Sequence, residues 1–335
     1  MLGVVIVTYN GRHHLQNLLP SLIKQSVGSN RYEIVIVDNG SSDGTISFLE
    51  KEYPEITNVS LLDNKGFAEP NNIGINKLFE NFLIKQVVLL NNDTVVSRNF
   101  LEVLISGFSA HPNASSIQTT IVSNDAKYID STGISVDQSF SARNFGYGEY
   151  NENQYNQEKE IFGTTGSAML ISKNALETSS LSPGVYFDSK YFAYNEDVDL
   201  ALRLRLYGFT SWYVPGGEVR HVHSATGVSQ SSFKSFHIHR NTILNIIKNA
   251  PDGMLWRTLG SFVIRYRVLL RNSRQKGKPA QRLAKKIGLA AMVYLVLRAW
   301  CSVVLHLPYL LVVRKNIQSR IRVPMRSFKM WLKEE

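Results

Sequence analysis

The chain runs to 335 residues, 44% hydrophobic and 19% charged, which excludes an intrinsically disordered protein and suits one large domain with an appendage. Its formal net charge of +10 is unevenly spread, because residues 251–335 hold 18 Lys and Arg against Asp252, Glu334 and Glu335, leaving 19 basic and 24 acidic side chains in residues 1–250. A body near −5 and a tail near +15 point the tail at an anionic lipid surface, with nucleic acid as the competing partner. Cys301 is the only cysteine, so no intrachain disulfide forms and a reducing compartment fits. No export signal is visible: Leu2–Val7 is too short for a signal-peptide core and lacks a basic lead-in.

Leu2-Gly3-Val4-Val5-Ile6-Val7 instead predicts a buried parallel strand, closed by the turn residues Thr8-Tyr9-Asn10-Gly11. Leu15, Leu18, Leu19, Leu22 and Ile23 then recur at the spacing of a helix laid on a sheet. Glu33–Val37 predicts a second strand, ending in Asp38-Asn39-Gly40-Ser41-Ser42-Asp43-Gly44-Thr45, where Asp43 or Ser42 can cap a helix running to about Glu52. A third strand near Val59–Leu62, a helix from about Pro70 to Phe82 and the apolar run Val87–Leu90 follow, the last ending abruptly in Asn91-Asn92-Asp93. This alternation predicts a doubly wound, mostly parallel α/β sheet. In such sheets ligands bind outside the carboxyl ends of the strands, which would stand Asp93 in the crevice. The same Asn-Asn-Asp-Thr run also reads as an ordinary turn and cap before a helix at Phe100–Phe108.

Further on, Ser139–Gln157 has no apolar period and reads as a mobile loop over the cleft. Ile161–Ser172 mixes small residues with an apolar run, which permits close approach of backbone to a ligand or forms a tightly packed strand. Asn195 can cap a helix whose first turn holds Glu196, Asp197 and Asp199, with Gly208 ending it. Asp199 and Arg203, four apart, pair along the helix, while Asp197 lies on another face and is free for chemistry. After a short strand at Trp212–Val214, the alternation Val219-Arg220-His221-Val222-His223 puts both imidazoles on one strand face, as metal ligands or as satisfied polar groups. A helix from about Ser232 to Lys248 carries Arg240 and Asn241.

From Met254 onward Trp256, Leu259, Phe262, Val263 and Tyr266 interleave with Arg257, Arg265, Arg267 and Arg271 as a basic amphipathic helix. Lys276, Lys278, Arg282, Lys285 and Lys286 form a cationic block, and residues 287–313 are apolar apart from Arg298, His306 and Pro308. A central Arg costs about 2.5 to 3.5 kcal/mol in a spanning helix, which disfavours a span and favours two or three helices lying on an anionic leaflet. Packing as a core or homodimer helix is the competing use of that stretch. Nucleic-acid binding is disfavoured, since base stacking needs no long aliphatic runs.

Six motifs, in order, resemble the family 2 glycosyltransferases and, within them, the rhamnosyltransferase-like bacterial branch. They are Val5-Ile6-Val7-Thr8-Tyr9-Asn10, the run Val37 to Thr45, Asn64-Lys65-Gly66-Phe67-Ala68 with Asn72, Leu90-Asn91-Asn92-Asp93, Glu196-Asp197-Val198-Asp199-Leu200 with Arg203, and His221 followed by Arg240-Asn241. The resemblance implies a GT-A-type nucleotide-binding α/β domain over residues 1–250 and a basic, membrane-associated helical tail over 251–335. On this resemblance Thr8, Tyr9, Asn10 and Asp38 line the base and ribose pocket, and the loop with Asn64, Gly66 and Asn72 closes around the nucleotide, with Asn92 beside it. Asp93 takes the last position of the Asp-x-Asp metal motif, His221 is a further metal ligand with His223 in reserve, and Arg240 reaches the diphosphate. Asp197 is the catalytic base, with Glu196 next to it. Asn91 stands where many relatives have the motif's first Asp, so the cation leans on one carboxylate, and Glu69-Pro70 replaces the small residues usual after Gly-Phe-Ala.

The implied reaction is an inverting transfer, dependent on Mg²⁺ or Mn²⁺, from a nucleotide-sugar to a hydroxyl of a lipid-linked saccharide in cell-surface polysaccharide or O-antigen synthesis. The favoured donor is dTDP-rhamnose, with UDP-hexose or GDP-mannose as alternatives, and the implied location is the cytoplasmic face of the inner membrane, peripherally bound. The rival from another class is a membrane-docked, non-catalytic nucleotide-sugar-binding protein. A processive synthase would need several spans and a Gln-x-x-Arg-Trp motif, and a nicotinamide-binding domain would need a Gly-x-Gly-x-x-Gly after the first strand; the sequence has neither motif.

Overall fold

Side chains along a strand alternate between faces, so a strand apolar at every position must be covered on both sides. In β1 (Leu2–Thr8) and the strand over Gln86–Asn91, Val4, Ile6, Val88 and Leu90 enter one buried cluster while Val5, Val87 and Leu89 enter another. The computed structural model describes residues 1–222, 232–273 and 288–332. In chain order the remaining early strands are β2 (Tyr32–Asp38) and β3 (Thr57–Ser60), which makes Gln86–Asn91 β4. Then come β5 (Thr94–Val96), β6 (Ala114–Gln118), β7 (Ile121–Ser123), β8 (Ile129–Ser131), β9 (Ile134–Val136) and β10 (Ala142–Asn144). The last four are β11 (Lys159–Ile161), β12 (Ala168–Ser172), β13 (Thr210–Tyr213) and β14 (Val219–His221).

Eight strands form the main sheet in the order β11-β13-β6-β12-β4-β1-β2-β3. The half β4-β1-β2-β3 is parallel, as the sequence predicts, but β12 runs antiparallel to both β4 and β6, and β11 antiparallel to β13. The sheet is therefore mixed rather than mostly parallel. The reason lies in connectivity: no helix separates β6 from β12 in the chain, so the crossover that a parallel neighbour requires is missing. One face carries α1 (Arg12–Ile23), α2 (Thr45–Glu52) and α4 (Phe100–Ala110) through Leu15, Leu18, Leu49, Phe100 and Leu104. The other carries α3 (Ala68–Phe79), α5 (Lys173–Ser179) and α6 (Glu196–Leu206) through Ile75, Leu78, Leu176, Leu200 and Leu204.

A second sheet, β5-β14-β7-β8, is built from three-residue strands, of which only β14 showed as an alternation in the sequence. The segment expected as a mobile loop, Ser139–Gln157, is instead bonded into the fold. It contains β10, and its backbone pairs with the preceding segment through Phe145 N to the Gly133 carbonyl (2.8 Å), Gly148 N to the Ile129 carbonyl (2.9 Å) and Asn151 N to the Lys127 carbonyl (2.8 Å). Backbone pairing satisfies polar groups without needing an apolar period, so composition alone misreads such a ribbon.

The chain divides into two compact units, residues 1–135 with 143–225, and residues 136–142 with 226–335. Helix α7 (Ser232–Asn249) thus sorts with the C-terminal helices, whereas the sequence suggested a boundary after residue 250. The local cause is Arg314, buried in the helix Leu307–Ser319, whose Nη1 donates to the carbonyls of Ile247 and Ala250 (2.7 Å each) at the end of α7. Arg298 lies 4.4 Å over the Phe236 ring, so this charge stacks on an aromatic face. Among the described residues no single helix is long and apolar enough to cross a membrane; Val293–Leu305 and Leu307–Ser319 reach that length only as a pair bent by 68°. The cationic block from Lys276 to Lys286 lies outside the described residues.

Candidate active site

The polar residues that end the parallel strands come together because the strands are in register. Thr8 lies opposite Asp38 and Val7 opposite Asn91, so the ends of β1, β2 and β4 share one edge. Asn92 donates from Nδ2 to Thr8 Oγ1 at 2.9 Å. Gly11 permits that contact, since a Cβ there would sit 2.1 Å from Asn92 Nδ2 and 2.4 Å from Thr8 Oγ1. Asn10, with φ 49°, accepts Ser42 N on its Oδ1 (2.8 Å), and its own N–H donates to Ser41 Oγ (2.8 Å). Asp38 is buried; its Oδ2 accepts Ser41 N (3.0 Å), while Oδ1 has no partner among the described residues. An unsatisfied buried acceptor is costly, and at a strand end in a crevice it is a ready partner for a ligand hydroxyl or N–H. Tyr9 is 44% exposed at the same edge.

The loop after β3 is held by Asn39, a residue the sequence reading placed in a motif without giving it a role. Its Nδ2 donates to Asn64 Oδ1 (3.0 Å) and the Gly66 carbonyl (2.7 Å), and its Oδ1 accepts Lys65 N (2.9 Å). Asn64 also accepts Gly66 N (2.9 Å), so its carbonyl shapes the loop from within. Gly66, at φ 80°, lets this loop meet the segment before α6: a Cβ would lie 2.1 Å from the Phe192 carbonyl oxygen. Asn72 is buried and spends its amide on the neighbouring backbone, donating to the Phe187 carbonyl (2.7 Å) and accepting Tyr186 N (3.0 Å) and Phe187 N (2.9 Å). That is a supporting place behind the edge, filled by main chain. Arg240 belongs to the other unit, where its Nε donates to Ser302 Oγ (3.0 Å) and its Nη1 to Asn241 Oδ1 (2.9 Å).

Asp93 sits in the turn between β4 and β5, and β5 pairs with β14, bringing His221 opposite Thr94. His221 Nε2 lies 3.2 Å from Asp93 Oδ1, and its Nδ1 lies 2.8 Å from Oδ2 of Asp130 on β8. Burial works to discharge the ring, but hydrogen bonds and charge from Asp130 and Asp93 outweigh it and raise the pKa to about 9. His14, on α1, lies near enough to feel the charges of both Asp93 and His221; burial lowers its pKa, and its Nε2 has no partner among the described residues. His223 lies outside the described residues. Among the described residues no three His, Cys, Asp or Glu are arranged to hold an ion. A hard carboxylate oxygen beside one imidazole nitrogen still fits a divalent cation whose other positions are taken by phosphate oxygens and water.

The third group enters on α6. Asn195 takes the N-cap position in a left-handed conformation (φ 66°), Glu196, Asp197 and Asp199 fill the first turn, and Gly208 (φ 88°) follows the helix. Phe192 and Tyr194 also have positive φ (60° and 67°), which non-glycine residues hold only when their surroundings enforce it. Asp199 pairs with Arg203 at 2.9 Å with both side chains fully buried, the structural pair expected from their spacing. Asp197 Oδ2 accepts Gly166 N (3.0 Å) and Thr165 Oγ1 (3.4 Å), and its Oδ1 accepts Val198 N (2.8 Å). Burial raises the pKa of Asp197, and these donors oppose the rise. Glu196 has a buried Oε2 with no partner among the described residues, and burial, then the charge of Asp197, push it up to about 8. Burial thus raises both carboxyls, and the hydrogen-bond donors that oppose the rise gather on Asp197.

Asp93 and Asp197, a hundred positions apart in the chain, are tied to the same strand end. Asn91 N donates to the Ser167 carbonyl (2.9 Å), placing the Thr165–Gly166 turn that holds Asp197 beside the end of β4 that leads into Asp93. Gln118, fully buried, joins the two halves: its Oε1 accepts Thr165 N (2.7 Å) and its Nε2 donates to Ser131 Oγ (3.0 Å), next to Asp130. Neither Gln118 nor Asp130 carried a sequence signal. Thr165 and Gly166 lay in the small-residue run, which the structure resolves into a turn against Asp197 followed by the packed strand β12.

The family model for glycosyl transferase family 2 matches residues 3–179, more than half of the chain. The chain belongs to glycosyl transferase family 2. This family 2 glycosyltransferase is 28% identical over 304 residues to the N-acetylglucosaminyl-diphospho-decaprenol L-rhamnosyltransferase of Mycobacterium tuberculosis, covering 83% of this chain and 95% of that one. It is 23% identical over 209 residues to the low-salt glycan biosynthesis hexosyltransferase Agl10 of Haloferax volcanii, covering 61% of each. Among solved structures, GalNAc-T7 with UDP, GalNAc and Mn²⁺ superposes with a TM-score of 0.57 at 17% identity, over 74% of this chain and 48% of that one. Staphylococcus aureus TarS 1-349 superposes with a TM-score of 0.51 at 15% identity, over 98% of this chain and 90% of that one. At such identities the structures establish the fold, a GT-A-like α/β architecture with a mixed sheet.

The buried acid at Glu196 sets a pH dependence on stability. Its folded pKa of about 8 lies above the ordinary 4.5, so the folded state holds a proton that the unfolded state releases, and stability falls as pH rises from about 4.5 through 8. Glu196→Gln removes that slope. Its melting temperature is expected to exceed wild type at pH 8.5, by roughly 2–4 °C for each kcal/mol recovered, and to converge with it near pH 4.5. Parallel melting curves for the two proteins across this range would contradict the buried, protonated assignment.

Proposed function

We propose that this glycosyltransferase moves a sugar, with inversion, from a nucleotide-sugar to a hydroxyl of a lipid-linked saccharide, using Asp197 as base and a divalent cation at Asp93 and His221. The observation that carries the reading is the joining of the Asp93 turn and the Asp197 turn at the end of β4 through Asn91 and Ser167. Thr8, Tyr9, Asn10 and Asp38 line the nucleoside side, with the free oxygen of Asp38 taking a base or ribose donor, and the Asn64–Gly66 loop covers it. Arg240 is proposed for the diphosphate. Mg²⁺ or Mn²⁺, when bound, supplies Lewis-acid neutralisation of the leaving diphosphate. Asp197, in its anionic form, accepts the acceptor's hydroxyl proton as that oxygen attacks the anomeric carbon from the face opposite the leaving group.

The mycobacterial relative, an L-rhamnosyltransferase acting on N-acetylglucosaminyl-diphospho-decaprenol, supports a rhamnose donor and a polyprenyl-diphosphate saccharide acceptor; dTDP-rhamnose is the proposed donor and cell-surface polysaccharide or O-antigen synthesis the proposed setting. A peripheral place on the cytoplasmic face of the inner membrane is supported by exposed apolar side chains on the C-terminal helices, among them Trp256 (79%), Leu305 (81%) and Val312 (72%), in a tail carrying 18 Lys and Arg. One experiment tests both parts: released nucleoside diphosphate is scored over dTDP-rhamnose, UDP-hexoses and GDP-mannose, with and without EDTA, using acceptor in anionic or neutral vesicles. Turnover with dTDP-rhamnose, abolished by EDTA and favoured by anionic vesicles, is expected. Donor binding with no turnover for any pair would favour the non-catalytic sensor, and equal rates on both vesicle types would remove the membrane assignment.

A further inference from the structure

We propose that Asp130 is a positioning residue of the cation site, fixing the tautomer and aim of His221; this rests on the reading that Asp93 and His221 hold a divalent cation. The two residues are 91 positions apart and meet because β7 pairs with both β14 and β8. Asp130 is 3% exposed, and its Oδ2 lies 2.8 Å from Nδ1 of His221 while the opposite ring nitrogen faces Asp93 Oδ1 at 3.2 Å. A carboxylate is an acceptor only, so Nδ1 carries hydrogen toward Asp130 and, with no cation bound, Nε2 carries hydrogen toward Asp93; a cation held by Asp93 would displace the Nε2 proton and take that nitrogen's lone pair, while Asp130 keeps the hydrogen on Nδ1. The arrangement also settles the ring plane, because an imidazole bonded at one nitrogen no longer turns freely about its terminal torsion.

Asp130 is itself firmly placed. Ser131, its neighbour, is fully buried, accepts Gln118 Nε2 at 3.0 Å and donates from Oγ to the Gly133 carbonyl at 3.1 Å. On the other side, Ile129 N donates to the Glu149 carbonyl at 2.8 Å. A surface-tethered carboxylate could follow a moving imidazole; one locked on both sides makes the imidazole follow it. Outer-shell partners of this kind typically account for ~10–100-fold in metal affinity.

The test titrates Mn²⁺ into the full chain without nucleotide, by calorimetry and by electron spin-echo detection of nitrogen coupled to the bound ion. Wild type, Asp93→Ala and Asp130→Asn are compared, with circular dichroism checking the fold. Wild type is expected to bind Mn²⁺ with one imidazole nitrogen coupled, Asp93→Ala to lose binding, and Asp130→Asn to bind ~10–100-fold more weakly with a diminished nitrogen signal. Unchanged affinity and nitrogen signal in Asp130→Asn, with Asp93→Ala still defective, would overturn the role of Asp130 alone. No Mn²⁺ binding by wild type would overturn the cation reading and this inference together. A measurement needing no variant is the ¹⁵N spectrum of Mg²⁺-loaded wild type: His221 is expected as the Nδ1–H tautomer, and the Nε2–H tautomer would refute the proposal.

Discussion

Asp197→Asn is expected to cut sugar transfer by at least the ~10²–10⁴ that a positioned general base contributes, while affinity for the nucleoside diphosphate stays near wild type. The amide keeps the volume of the carboxylate, so α6 and the Thr165–Gly166 turn should persist, but it cannot take a proton. Gly166 N, Val198 N and Thr165 Oγ1 all donate to Asp197 in the structure, and an amide offers only one oxygen to meet them. A modest loss of stability is therefore expected beside the large loss of rate. Because burial raises the pKa of Asp197 above the ordinary 3.8, the wild-type rate should fall on the acid side through a value above that one. Single-turnover rates and calorimetry with the nucleoside diphosphate decide the matter: retained transfer with lost nucleotide affinity would reverse the assigned roles.

Asp93→Ala should fail at an earlier step. Removing the carboxylate proposed to hold the cation is expected to weaken metal-dependent nucleoside diphosphate binding by more than the ~10–100-fold attributed to outer-shell groups. It should also make the residual affinity insensitive to EDTA. The substitution leaves His221 with Asp130 as its carboxylate neighbour at 2.8 Å, so β14 should stay in place and the loss should be local to the site. Nucleotide titrations with Mg²⁺, with Mn²⁺ and with EDTA give the comparison. A variant whose affinity still responds to metal as wild type does would place the cation elsewhere.

The two variants separate because the structure assigns neighbouring acids to different environments. Asp199, two residues from Asp197, is fully buried against Arg203, whose Nη2 also donates to the Tyr186 carbonyl at 2.8 Å. Breaking that pair from the Arg203 side would strand a buried charge, a cost of roughly 3–5 kcal/mol that shows as unfolding rather than as slow catalysis.

What the sequence by itself determined is whatever repeats within a few residues. The apolar runs Val4–Val7 and Val87–Leu90, buried on both faces and ending in polar residues, carry the parallel half of the sheet and its ligand-binding edge. The four-residue spacing of Asp199 and Arg203 reveals their structural pair without coordinates, whereas the donors that hold Asp197, from Gly166, Thr165 and Val198, appear only in the fold. Tertiary structure alone decided what depends on short strands finding distant partners. The three-residue strands β5, β7 and β8 are too brief to show a period, yet their pairing with one another and with β14 brings Asp130 to His221 and His221 to Asp93. The antiparallel insertion of β12, the bonded ribbon within Ser139–Gln157 and the bridge through Gln118 arise the same way. Periodicity records which face of an element is buried, whereas the partner across a hydrogen bond is set only when the chain has folded back on itself.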